Sequence, residues 1–239
     1  MKIAIIGYGK MGKAVEAIAV KRGHQIAVKA DAPGPSAEQI KGCDAAIEFT
    51  GPASAVSNIL TCFKAGVPAV VGSTGWYDDF NKIKNECITG GHALLTATNF
   101  SVGVNIFFEL NRRLADLMQH TGSYSVAMDE THHIHKLDSP SGTAITLADD
   151  LVKGYKLKEK WEEAVPGVQP AGHVLPIYSH RKGETVGTHV ITYTSEVDKI
   201  EIRHEAFSRD GFALGAVVAA EWLADKKGVF TMKDVLGIQ

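Results

Sequence analysis

The chain has 239 residues, 45% of them hydrophobic, with Lys+Arg 25 against Asp+Glu 27 and a formal net charge of -2. No block of like charge gives it the footprint of a nucleic-acid binder, and no stretch approaches the ~20 apolar residues of a membrane span. A small-molecule partner remains, and the length accommodates two domains.

The first strand-like run, Lys2 to Ile6, is ended by a glycine after a single leading lysine, far short of the apolar core of a secretory signal. Cys43, Cys62 and Cys87 are odd in number and lack a C-x-x-C spacing, which suits reduced thiols and a cytoplasmic location. Strand-like runs at Lys2 to Ile6, Gln25 to Ala30, Ala45 to Phe49, Ala69 to Gly72 and Ala93 to Ala97 alternate with helical stretches. That alternation predicts a βαβ series on a parallel sheet.

Gly7-Tyr8-Gly9-Lys10-Met11-Gly12 matches G-x-G-x-x-G between the first strand and a helix running to about Arg22. The first glycine permits the tight turn, the second lets backbone approach a pyrophosphate, and the third lets helix and strand pack closely. The helix start attracts the phosphates. Asp31, nineteen residues after Gly12 at the end of the second strand, is placed to accept hydrogen bonds from an adenosine ribose, which favours NAD over NADP. Lys29 and Lys10 soften that preference, because a cation near this corner could accept a 2′-phosphate. Gly72-Ser73-Thr74-Gly75 and Ala97-Thr98-Asn99-Phe100 leave the ends of later strands. Ligands of open α/β sheets bind at those strand ends, so both loops are expected to line the nicotinamide side of the cofactor.

After Asn99 the pattern changes. A helix is expected from about Val102 to His120, with apolar Val104, Phe107, Phe108, Leu110, Leu114 and Leu117, followed by a strand from Ser123 to Asp129. Residues 174 to 207 read as β-rich, with alternation through Thr188 to Tyr193 and Lys199 to Arg203, and strands in a row imply meandering, antiparallel pairing. A helix through Ala213 to Ala224 is expected to return to the first domain. The fold class is therefore α/β, with a Rossmann-like nucleotide domain (1–98 and 208–239) and a second α+β domain (99–207) carrying a mixed, largely antiparallel sheet.

Residues 130 to 144, ETHHIHKLDSPSGTA, hold three of the ten histidines within four positions, then a lysine and a helix start. Imidazole and ammonium move protons near neutral pH, and a helix start binds anions. Metal ligation by His132, His133 and His135 is disfavoured, because His132 and His133 point to opposite sides of a strand or loop and no cysteine is near. Asp138 or Ser139 is expected to cap a helix whose first turn carries Pro140. The backbone N–H groups of Ser141, Gly142 and Thr143, with two hydroxyls, then form a carboxylate pocket to which His133 and Lys136 add positive charge. A dicarboxylate substrate follows.

Taken together, GYGKMG, EFTGP, GSTG, ATNFSVGVN and above all ETHHIHKLDSPSGTA resemble the 4-hydroxy-tetrahydrodipicolinate reductase (dihydrodipicolinate reductase) family of bacterial lysine and diaminopimelate synthesis. The resemblance covers nearly the whole chain. It implies NADH or NADPH as cofactor, His132 as the acid–base residue, Lys136 as proton donor, and His133, Gly142 and Thr143 as carboxylate ligands. It also implies cofactor contacts from Gly7 to Gly12, Asp31, Gly72 to Thr74 and Ala97 to Phe100, and a homotetramer built by the second domain. The chain departs from longer members in the short run between Asp31 and Cys43, beside the adenosine end. A non-catalytic NAD(H)-sensing protein is the rival reading; it accounts for the glycine loop and leaves the histidine segment unexplained.

Overall fold

Five apolar strands in the first hundred residues set the architecture: β1 (Lys2–Ile6), β2 (Gln25–Ala30), β3 (Ala45–Glu48), β4 (Ala69–Val71) and β5 (Ala93–Thr96). Between them run α1 (Lys10–Lys21), α2 (Ala37–Ile40), α3 (Pro52–Ala65) and α4 (Phe80–Thr89). The structure, a computed structural model, describes residues 1–165 and 167–238. Next come α5 (Val102–Met118), β6 (Ser125–His132), α6 (Gly142–Gly154), β7 (Lys160–Glu163), β8 (Val174–Arg181), β9 (Gly187–Thr194) and β10 (Lys199–Ala206). The chain ends with α7 (Asp210–Leu223), β11 (Gly228–Phe230) and α8 (Met232–Leu236). It divides into two units, Met1–Val102 with Arg209–Gln239, and Gly103–Ser208.

In the first unit a six-stranded sheet has the order β11-β5-β4-β3-β1-β2, and every pairing is parallel. A parallel sheet is covered on both faces, so its central strands read as continuous apolar runs. Alternate residues divide between two cores: Ile3, Ile5, Ile47, Val70 and Leu95 pack with Val15 and Ala19 of α1 and with α7. Ala4, Ile6, Ala46, Val71 and Leu94 pack with Ile59 and Phe63 of α3 and Ile83 of α4. Small residues let α7 lie close, and a Cβ on its Gly215 would come 1.7 Å from the Phe100 carbonyl oxygen. The edge strand β11, beside β5, is too short and glycine-led for the sequence pattern to have announced it.

Because the strands are parallel, all of them end on one edge. Ile6 lies beside Ala30 and Glu48, Glu48 beside Val71, and Val71 beside Thr96. The loops that begin at Gly7, Asp31, Phe49, Gly72 and Ala97 therefore leave from that common edge, where open α/β sheets hold ligands.

The second unit carries a five-stranded sheet in the order β10-β9-β6-β8-β7. β9 pairs antiparallel with β10 and with β6, whereas β8 pairs parallel with β6 and with β7. Of the meander expected for residues 174–207, β9 and β10 form an antiparallel pair, but β8 is separated from β9 by β6 and pairs parallel, so the sheet is evenly mixed. The strand expected to stop at Asp129 runs to His132, so the first histidine is a strand residue. Val126, Met128, Ile177, Ile191 and Tyr193 form a core with α5 and α6. The buried stripe of α5 is Val104, Phe107, Phe108, Asn111, Ala115 and Met118, a helical spacing. Leu110 and Leu117 fall outside the stripe, 50% and 71% exposed. Asn111 is accepted in the core because its side-chain amide donates to the Leu147 carbonyl at 2.8 Å.

Candidate active site

The end of the first unit expected to take the nucleotide is built on the glycine loop. Gly7 has φ +95, and a Cβ there would lie 2.3 Å from the Phe49 carbonyl oxygen; one on Gly12 would lie 2.3 Å from the Gly7 oxygen. Both positions need glycine for packing. At Gly9, by contrast, a Cβ would meet nothing within 4 Å. Gly9 starts α1 without a side-chain cap, and the first turn of α1 has no acidic residue. An uncapped helix start beside open space fits a phosphate group. Gly7→Ala is expected to cost roughly 2–4 kcal/mol of stability in urea unfolding, whereas Gly9→Ala stays within about 1 kcal/mol. The Gly9 variant should instead weaken nucleotide binding by titration calorimetry; unchanged binding would count against this placement.

The remaining residues expected to contact the nucleotide take up distinct positions. The Asp31 carboxylate accepts from the Tyr8 backbone N–H at 2.6 Å, so it steadies the glycine loop from the end of β2. Lys29 is not free: its ammonium lies 2.5 Å from Glu16 and 4.9 Å from the Tyr8 ring centroid. The hydrogen bond to Lys29, then that from the Tyr8 hydroxyl, holds Glu16 below the usual carboxylate range. Lys10 and Thr74 are exposed, Met11 is half-buried, and Ser73 is buried with an unpartnered hydroxyl. Thr98 is exposed, Asn99 accepts from the Ser101 N–H at 2.9 Å, and the Phe100 ring meets Phe49 edge-on at 5.8 Å. The sequence reading missed Glu48, a buried carboxylate at the end of β3 that accepts from the Thr50 N–H at 2.9 Å and so shapes the loop against Gly7. Burial pushes the Cys62 thiol to about 12 and the Cys87 thiol to about 11, so these cysteines behave as packing residues.

The second centre lies where β6 meets α6. Period-two alternation puts Glu130 and His132 on the inward face of β6, 0% and 8% exposed. His132 Nδ1 is hydrogen-bonded to Glu130 Oε2, and Arg181 of β8 donates to Oε1 at 3.0 Å. Arg181 also donates to the Asp138 carbonyl at 2.7 Å, tying the loop to the strand. Burial alone would raise the Glu130 carboxyl, but the hydrogen bonds from His132 and Arg181 outweigh it and hold the group at about 2. Glu130 is ionised at neutral pH.

From β9, opposite Glu130 in the register, comes His189. Its ring meets that of His132 edge-on at 5.2 Å, and its Nε2 lies 3.1 Å from the Ser141 hydroxyl. Burial, then repulsion from His132, drives its imidazole down to about 3, so His189 is neutral. Sequence reasoning passed over it because only strand pairing brings it to Glu130; the inward phase of the Thr188 to Tyr193 alternation was the one available signal.

Ser141, and not Asp138 or Ser139, is the N-cap of α6, accepting from the Ala144 N–H at 3.2 Å. Pro140 precedes the helix instead of opening it. The Ser141 hydroxyl is turned inward to His189, so of the hydroxyls expected in the pocket only that of Thr143 remains on the first turn. Gly142 is exposed and Thr143 half-buried there, and the turn has no acidic residue. Lys136 is half-buried with its ammonium 2.8 Å from Asp138. His133 is half-buried with Nδ1 unpartnered, 6.1 Å between centroids from His135, which faces solvent near Glu184.

Glu130, His132 and His189 also present ligand atoms within 4.8 Å of one another, a convergence that the sequence reading did not foresee. Glu130 is hydrogen-bonded to His132 and paired with Arg181, whereas His189 lies against Ser141.

The family model described as dihydrodipicolinate reductase, N-terminus, matches residues 1–100, and the one described as dihydrodipicolinate reductase, C-terminus, matches residues 103–236. A 4-hydroxy-tetrahydrodipicolinate reductase of Christiangramia forsetii is 49% identical, covering 99% of this chain and 98% of its own. One from Methanosarcina barkeri is 36% identical over 82% of this chain and 73% of its own. Among solved structures, a dipicolinate-bound dihydrodipicolinate reductase from Paenisporosarcina sp. TG-14 shares the fold at a TM-score of 0.81 and 18% identity, covering 98% of each chain.

Proposed function

The chain belongs to the dihydrodipicolinate reductase family, and from that premise we propose how its residues divide the work. The reaction is reduction of 4-hydroxy-2,3,4,5-tetrahydrodipicolinate to 2,3,4,5-tetrahydrodipicolinate with release of water, in lysine and diaminopimelate biosynthesis. Once the 4-hydroxyl has left as water, C4 belongs to a carbon–carbon double bond conjugated with the ring imine; a bound nicotinamide nucleotide, NADH or NADPH, would supply hydride to C4, and one proton must reach the resulting enamine carbon. The protein therefore has to hold two carboxylates, orient the ring and deliver that proton.

Gly7 to Gly12, Asp31, Gly72 to Thr74 and Ala97 to Phe100 hold the nucleotide in this reading. His132 is the acid–base residue and Lys136 the proton donor. His133 and the N–H groups of Gly142 and Thr143 take the substrate carboxylates, on a turn whose shape Ser141 fixes. One observation carries the reading: a buried imidazole with Nδ1 committed to a carboxylate stands in the same unit as an acid-free helix start. Asp31 at the loop and Lys29 engaged by Glu16 support NADH as the preferred donor.

The decisive assay follows oxidation at 340 nm of NADH and of NADPH with freshly made dihydrodipicolinate synthase product. Turnover with a higher kcat/KM for NADH is expected; nucleotide binding without turnover would favour the sensor, and a higher value for NADPH would overturn the cofactor assignment.

We further propose a homotetramer built by the second unit. The sheet face away from α5 and α6 carries hollows of about 680 and 480 Å³, lined in part by Ala127, Tyr178, Thr192 and Arg203. Light scattering should give the mass of four chains. Among the described residues no helix is long and apolar enough to cross a membrane; with three free thiols, the cytoplasm is the proposed compartment.

A further inference from the structure

We propose that Glu130, clamped by Arg181, is a positioning residue that fixes His132 in the Nδ1–H tautomer and so makes Nε2 the atom that handles the proton. This deepens the reading of His132 given above and rests on it.

Three observations carry the inference. The carboxylate has no freedom: Glu130 is 0% exposed, with one oxygen on His132 Nδ1 and the other 3.0 Å from Arg181 Nη1. The clamp is held in turn, because Arg181 lies opposite His132 in the β6–β8 register and its second nitrogen donates to the Asp138 carbonyl at 2.7 Å. Finally, the hydrogen bond that the His132 ring makes among the described residues is through Nδ1, not Nε2. A Cβ on Gly187 would stand 3.1 Å from Nε2, a tight approach, so Gly187 borders that atom closely.

An ionised carboxylate can only accept, which forces the proton of a neutral imidazole onto Nδ1. Nε2 then alternates between acceptor and donor without a ring flip. The same carboxylate steadies the imidazolium once Nε2 has gained a proton. Arg181 matters because an unclamped glutamate could rotate away from the ring.

Glu130→Gln tests this in the full-length protein. The single amide oxygen will face the Arg181 donor, turning the amide N–H₂ toward His132 Nδ1 and driving the ring to the Nε2–H tautomer. The expected result is a kcat lower by about 10²-fold or more. KM for the hydroxy-tetrahydrodipicolinate and Kd for NADH should stay within about threefold, since Glu130 is fully buried with both oxygens already engaged. Nitrogen-15 NMR of the imidazoles should report Nδ1–H for neutral His132 in the wild type and Nε2–H in the variant. Glu130→Asp, which restores a carboxylate, should recover the wild-type tautomer and part of kcat.

A wild-type His132 protonated on Nε2 overturns the proposal even if Glu130→Gln fails to fold. So does a Glu130→Gln enzyme with unaltered kcat, or stoichiometric zinc binding by the wild type that both Glu130→Gln and His132→Ala abolish. If His132→Ala keeps full activity, the acid–base reading of His132 falls instead, and the tautomer measurement separates that failure from this one.

Discussion

Replacing His132 by alanine will lower kcat by about 10²–10⁴-fold, the range that a positioned acid–base group supplies. Lys136→Ala will do the same, and both changes will leave Kd for NADH within about twofold because the loops proposed to hold the nucleotide lie in the other unit. The two losses are not expected to add. If His132 and Lys136 serve one proton transfer, the double variant should be scarcely slower than the worse single one, as for groups acting as a unit. Lys136 carries a second expectation, since it is paired with exposed Asp138. If a substrate carboxylate held by the neighbouring Gly142 and Thr143 N–H groups displaces Asp138 from that ammonium, Lys136→Ala should raise KM more than His132→Ala does. Steady-state kinetics with saturating NADH decides this. Losses of equal size in kcat and Kd for NADH, or none, would remove both residues from the chemistry.

How far the sequence reached depended on whether the signal was local. The parallel sheet was legible because every strand carries its own continuous apolar run and the glycine loop announces its helix. Within α6 the start was misread by two or three residues: Asp138, Ser139 and Ser141 can all cap in principle, and only the buried bond from Ser141 to His189 selects among them. β7 was invisible because its residues, KWEE, look like a solvated run; pairing with β8 makes it a strand. Apolar periodicity also overcounted α5, where Leu110 and Leu117 lie off the buried stripe while polar Asn111 lies on it. The site shows the same division. Its residues within 130 to 144 stand out in one dimension, but Arg181 and His189 reach Glu130 only through strand register, which no local pattern encodes.

The second unit will lose stability in acid from about pH 6.5 downward, and His189 will be the first cause. Its folded pKa of about 3 lies below the ordinary 6.5, so between those values the unfolded chain binds a proton that the folded one refuses. Stability is therefore full above about pH 6.5 and falls by about 1.4 kcal/mol per pH unit below it. Glu130 has the same sign in a lower window: depressed from 4.5 to about 2, it contributes stability above the first value that is lost as pH falls through the second. The combined slope should steepen below about pH 4.5, with His189 alone responsible for roughly 2–3 kcal/mol between pH 7 and 4.5. Amide exchange in β9 and urea unfolding at pH 7, 5.5 and 4.5 measure the effect. His189→Gln provides the control: it forfeits packing and the Ser141 bond at pH 7, yet has no imidazole to charge, so its stability should change less between pH 7 and 4.5. Equal pH slopes in variant and wild type would sink the assignment. The functional corollary follows from the same geometry: a charged His189 would stand edge-on to His132 and beside the cap of α6. The burial that makes the unit sensitive to acid is thus also what keeps a second positive charge away from the imidazole proposed to move the proton.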